Sequence, residues 1–88
     1  MIEKQVIIVN NAGLHTRPAA MITKLASRFK SEFYIVKNGV SVNAKSIIGV
    51  MTLAAAKGTE LTLVFEGEDE IDAAETLTDY FNRGFDEP

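Results

Sequence analysis

Asn38-Gly39 separates two runs rich in β-branched and aromatic residues, EFYIVKN (32–38) and VSVN (40–43). A two-residue type I′ turn needs positive φ at both central positions, and Asn-Gly is the pair that accepts it most readily. The middle of the chain is therefore committed to an antiparallel hairpin. ELTLVFE (60–66) alternates cleanly, with Leu61, Leu63 and Phe65 on one face and Thr62, Val64 and Glu66 on the other, which marks a strand with one buried side. IEKQVIIV (2–9) is β-branched and reads as a further strand.

Between the strands the hydrophobic period changes to 3.6. A helix starting near Thr16 carries Pro18, Ile22, Leu25, Ala26 and Phe29 as one apolar stripe. Ser46 opens a short helical run, SIIGVMTLA. A last helix is expected from about Asp69 to Arg83, with Ile71, Ala74, Leu77 and Phe81 inward, acids in its first turn and Gly84 as C-cap. The order is β-α-β-β-α-β-α, an α+β two-layer sandwich with a four-stranded sheet and helices on one face. A ferredoxin-like arrangement shares the first six elements, and periodicity alone does not separate the two topologies.

At 88 residues the expectation is one domain, 1–88. No apolar run reaches the ~18 residues of a membrane span, so no membrane insertion is expected. The first residues lack the basic and apolar regions of a signal peptide. Without cysteine there is no disulfide and no thiolate metal site, and the expected compartment is the cytoplasm. A net charge of −3 argues against nucleic-acid binding. The charge is uneven, however. From Asn10 to Gly58 seven bases (Arg17, Lys24, Arg28, Lys30, Lys37, Lys45, Lys57) face Glu32 alone, whereas from Thr59 onward ten acids face only Arg83. A basic middle of this kind steers acidic or phosphorylated partners.

NNAGLHTRPAA (10–20) holds the only histidine, His15. A helix beginning at Thr16 leaves its first N–H groups unpaired and gathers partial positive charge there, and Pro18 suits a first turn. The result is an anion seat with His15 at its mouth. Positive surroundings disfavour the imidazolium, which keeps the ring nucleophilic near pH 7. Arg17 brings a guanidinium able to hold phosphoryl oxygens in a fork. A histidine so placed can accept a phosphoryl group, or serve merely as a helix cap. No second histidine or cysteine is present to share a metal.

Ser46 suits an N-cap, its Oγ accepting from the N–H of residue 48 or 49. A phosphate there would add roughly −1.5 to −2 charges beside a helix N-terminus without unfolding the chain. On the first helix Arg17, Ala20, Met21, Lys24 and Arg28 form a second stripe, opposite the core stripe. With Ile47, Ile48 and Met51 of the short helix they outline an apolar patch ringed by Arg17, Lys24, Arg28 and Lys45, a docking surface whose methionines suit several partners.

GLHTRPAA, followed about thirty residues later by AKSIIGVMTLAAAKGTELTL, resembles the HPr family of histidine-containing phosphocarriers of the bacterial phosphoenolpyruvate:sugar phosphotransferase system. The resemblance covers essentially the whole chain. It implies the HPr-like open-faced β-sandwich, four antiparallel strands with three helices on one face. It implies a stoichiometric carrier, not an enzyme, with no cofactor and no metal. His15 would take the phosphoryl group on Nδ1 from phosphorylated enzyme I and pass it to a histidine of an enzyme IIA domain. Arg17 would steady the phosphoryl group, and Thr16, where many members have alanine, could contact it through its hydroxyl. Ser46 matches the serine phosphorylated by HPr kinase/phosphorylase. Ala20, Met21, Lys24, Arg28, Ile47, Ile48 and Met51 match the partner face. The rival readings are a carrier of the nitrogen-related branch of the system, a regulatory paralogue (which would lack the histidine), and an acylphosphatase-type enzyme on a similar fold.

Overall fold

The computed structural model describes residues 1–88 in full. The strands are β1 (Ile2–Ile7), β2 (Glu32–Lys37), β3 (Val40–Asn43) and β4 (Glu60–Glu66); the helices are α1 (Thr16–Ala26), α2 (Ile47–Met51) and α3 (Glu70–Asn82), with a 3₁₀ turn at Gly84–Asp86. The strands pair antiparallel in the order β1-β4-β2-β3. β4 thus lies between β1 and β2, which fixes the strand order that periodicity leaves open. Asn38 (φ 49°) and Gly39 (φ 80°) both have positive φ, as the hairpin requires.

The period-2 pattern becomes one covered and one open face. Leu61, Leu63 and Phe65 of β4 are buried with Phe33 and Ile35 of β2 and Val6 of β1, while Thr62, Val64 and Glu66 face outward. Phe33 and Phe65 are directly opposite in register, and their rings stack 4.5 Å apart. Each fully buried side chain of this size contributes roughly 1.5–3 kcal/mol. α3 packs over β1 and β4, and α1 and α2 pack together on the same core.

Three expectations are corrected. Ile71 is exposed, and the buried face of α3 is Ala73, Ala74, Leu77, Tyr80 and Phe81. At 3.6 residues per turn these five lie within about 60° of Leu77 around the helix, and Ile71 lies about 120° away, outside the arc that meets the sheet. α1 ends at Ala26, so Phe29 packs on the core from the following turn, where its N–H donates to the Ala26 carbonyl (3.1 Å). The C-cap of α3 is Arg83, with Gly84 following it.

Candidate functional site

The loop from Asn10 to Leu14 brings His15 to the head of α1. Gly13 has φ 71°, and a Cβ there would stand 2.7 Å from the Ala55 carbonyl oxygen. Only glycine allows this approach. The same carbonyl accepts the N–H of Leu14 (2.8 Å), which pins the loop against the segment after α2. His15 is then the N-cap of α1 in an extended conformation (φ −92°, ψ −170°), and its carbonyl accepts the N–H of Ala19 (3.0 Å). No backbone acceptor serves the N–H of Thr16 or Arg17. α1 has no acid in its first turn, so the positive end of its dipole is not offset from within the helix.

The imidazole does not cap the helix. Its Nε2 lies 2.6 Å from Oε1 of Glu87, near the opposite end of the chain. The same Oε1 accepts from Nδ2 of Asn10 (2.8 Å), and Oε2 stands 4.0 Å from Nη1 of Arg17. Nδ1 of His15 has no protein partner. Asn10 is only 1% exposed and also donates to the Gly13 carbonyl (2.8 Å), so it ties the loop and the tail together. The hydrogen bond from His15, aided by that from Asn10, holds the Glu87 carboxyl below the usual carboxylate range despite partial burial. The sequence reading counted only positive charge around His15; the structure adds a negative group in direct contact.

The tail reaches this position through a strained turn. Phe85 (φ 59°) and Asp86 (φ 57°) are both left-handed, which costs roughly 1–2 kcal/mol at Phe85 and less at Asp86, whose short polar side chain tolerates the region. Phe85 is buried against Phe81 and Tyr80, with ring centroids 5.0 and 5.2 Å away, and Arg83 pairs with Asp86 (2.8 Å). The Asn11 N–H donates to the Pro88 carbonyl (2.7 Å). Sequence reading missed Glu87 and Asn10, whose only visible signs were an acidic tail and a paired asparagine before the histidine.

Arg17 is 82% exposed and its nearest acid is the long contact to Glu87, so its guanidinium is free to turn toward a ligand. The Thr16 hydroxyl points to Sδ of Met51 (3.8 Å) and links α1 to α2 beside the site. Ser46 is the N-cap of α2, its Oγ accepting from Gly49 N–H (3.1 Å), one of the two donors expected. Ala20, Met21, Lys24, Arg28, Ile47 and Met51 are all exposed, and Ile48 is 79% exposed. α1 and α2 pack together, so these exposed residues lie on, or just after, two neighbouring helices. The Lys45 ammonium donates to the Phe29 carbonyl (2.9 Å).

Fold and site together define a class: a small open-faced sandwich presenting one histidine at a bare helix head, with an exposed guanidinium and exposed apolar side chains beside it. The family model for the "PTS HPr component phosphorylation site" matches residues 2–83. The phosphocarrier protein HPr of Treponema pallidum (strain Nichols) is 48% identical over 87 residues, 99% of each chain. The HPr-like protein Crh of Halalkalibacterium halodurans is 47% identical over 83 residues, 94% of this chain and 99% of that one. The crystal structure of HPr-C-His from Thermoanaerobacter tengcongensis superposes with a TM-score of 0.95 at 41% identity, covering 100% of this chain and 99% of that one. The chain belongs to the HPr family, and its general role is that of a phosphocarrier of the phosphotransferase system. The open-faced sandwich expected from the resemblance is the fold observed. No helix is long and apolar enough to cross a membrane.

Proposed function

We propose that His15 accepts a phosphoryl group on Nδ1 from phosphorylated enzyme I, ultimately from phosphoenolpyruvate, and hands it to a histidine of an enzyme IIA domain in sugar uptake. The observation that carries this reading is the engagement of Nε2 by Glu87 at 2.6 Å, which leaves Nδ1 as the free ring nitrogen beside a helix head with unpaired N–H groups. Those groups and Arg17 supply the positioning and charge stabilisation on which phosphoryl transfer mainly depends. The protein turns over as a stoichiometric carrier, loaded and unloaded by its partners. The presence of His15 favours a transfer role over that of a regulatory paralogue without the histidine.

The partner face is the exposed surface of Ala20, Met21, Lys24, Arg28, Ile47, Ile48 and Met51, which abuts His15 and suits acidic partners with an apolar centre. Ser46 lies at the edge of that face with its hydroxyl exposed. Its phosphorylation by an HPr kinase/phosphorylase would set roughly −1.5 to −2 charges where such partners dock. Incubation with enzyme I and phosphoenolpyruvate tests the carrier reading. Intact mass at alkaline pH is expected to show one added phosphoryl group, lost on brief acid treatment and absent from His15→Ala. An unmodified wild-type protein would refute it.

A further inference from the structure

We infer that Glu87 is a positioning residue for this transfer: its carboxylate accepts a hydrogen bond from the Nε2–H of His15 and so keeps the attacking lone pair on Nδ1, at the head of α1. The inference rests on the carrier reading above. Three observations support it. The Nε2–Oε1 separation of 2.6 Å is that of a charge-assisted hydrogen bond. The carboxylate is itself held from the other side by the buried Asn10 amide, which leaves Asn10 Oδ1 without a partner in order to aim its Nδ2 at Glu87 and Gly13. The turn that delivers Glu87 contains two left-handed non-glycine residues, Phe85 and Asp86, locked by aromatic packing and the Arg83–Asp86 pair.

The arrangement follows the general logic of a base oriented by a carboxylate. A hydrogen bond on one imidazole nitrogen fixes the tautomer and the ring plane, and thereby decides what the other nitrogen does. In the transfer step, the bond from phosphorus to the donor's histidine nitrogen breaks as the bond from phosphorus to Nδ1 of His15 forms. The donor nitrogen keeps the electron pair. The Nε2 proton remains between His15 and Glu87, whose charge offsets the positive character the ring acquires. Because Asn10 and the tail hold Glu87 independently of Arg17, the guanidinium can turn to the phosphoryl oxygens without releasing the carboxylate.

The test has two arms. Long-range ¹H–¹⁵N spectra of the unphosphorylated protein report the His15 tautomer and need no partner protein. Wild type is expected as the Nε2–H form alone, and Glu87→Ala as a mixture of both forms. In the second arm, stopped-flow transfer from phosphorylated enzyme I is expected to slow about tenfold at saturating donor in Glu87→Ala, with little change in the half-saturating concentration. Glu87→Gln, which keeps an acceptor oxygen of the same reach, should recover part of the loss. Circular dichroism of both variants checks that the fold persists. A wild-type Nδ1–H tautomer, an unchanged tautomer in Glu87→Ala, or a transfer rate in that variant equal to or faster than wild type would overturn the proposal. The last case would make Glu87 a brake on phosphoryl entry. Absence of any transfer to wild type would instead strike the carrier reading, and the tautomer would still decide whether Glu87 orients the ring.

Discussion

Replacing Gly13 by alanine strikes the joint that sets His15, and its cost follows from two separable terms. The first is backbone strain, since alanine at φ 71° pays roughly 1–2 kcal/mol, offset by roughly 0.4–1 kcal/mol from the stiffer unfolded chain. The second is overlap. The new methyl would stand 2.7 Å from the Ala55 oxygen and 3.0 Å from Ala56 Cα, inside the roughly 3.5 Å of a comfortable contact. Both are backbone atoms, and overpacking of this kind costs roughly 1–3 kcal/mol. The sum is about 2–4 kcal/mol. Gly39→Ala isolates the first term, because its φ of 80° carries the same strain and a Cβ there meets nothing within 4 Å. It should cost about 1 kcal/mol. At roughly 4–8 °C per kcal/mol for a domain of this size, Tm falls by about 8–32 °C in Gly13→Ala and by about 4–8 °C in Gly39→Ala. Urea titration and thermal melts measure the difference. Function should separate the two further. Displacing Gly13 shifts Leu14 and His15, and roughly 1 Å of misplacement can cost 10²-fold in rate. Phosphoryl acceptance should fall at least tenfold in Gly13→Ala and stay within twofold in Gly39→Ala. Equal stability losses in the two variants, or full activity in Gly13→Ala, would refute the reasoning.

Three further outcomes are expected. Ser46→Asp places a charge at the edge of the partner face while keeping an N-cap acceptor, so transfer from enzyme I should slow with Tm unchanged; equal rates would contradict the placement of Ser46 at the interface. Ile48→Ser should weaken partner binding by about tenfold or more without loss of stability, since the side chain is 79% exposed, and calorimetric titration with enzyme I reads both the affinity and its change. Asp69 accepts from the Ser31 hydroxyl and from the N–H groups of Lys30 and Ser31, and these bonds lower its pKa from 3.8 to about 2. Its contribution is therefore present above its unfolded value and lost as pH falls through the window from about 4 to about 2, so the urea midpoints of wild type and Asp69→Asn should differ at pH 7 and converge near pH 2.

What could be read from the sequence was what local physics encodes. The alternation of ELTLVFE, the Asn38-Gly39 turn and the Thr16 helix start all appear in the structure at or within a few residues of their expected places, because each depends on neighbours along the chain. Ile71 failed for a related reason. A stripe drawn through apolar residues has no knowledge of how far α3 is rotated, and Tyr80, a residue with a polar tip, takes the place on the core. His15, Arg17 and Ser46 were legible because spacing alone puts them at helix heads. Glu87 was not, since its contact with His15 spans 72 residues and depends on a left-handed turn at Phe85 and Asp86, residues with no strong local signal for that conformation. Such a contact becomes visible only when α3 is docked on β1 and the tail is carried back over the first loop.

The most direct test of the central claim, that the head of α1 loads a phosphoryl group on the free nitrogen of His15, is nitrogen-resolved. Protein labelled with ¹⁵N is phosphorylated by enzyme I and phosphoenolpyruvate and kept at alkaline pH, and the ¹⁵N–³¹P coupling of His15 is recorded. The account predicts one phosphoryl group, coupled to Nδ1. Coupling to Nε2, or a phosphoryl group on any other residue, would contradict it.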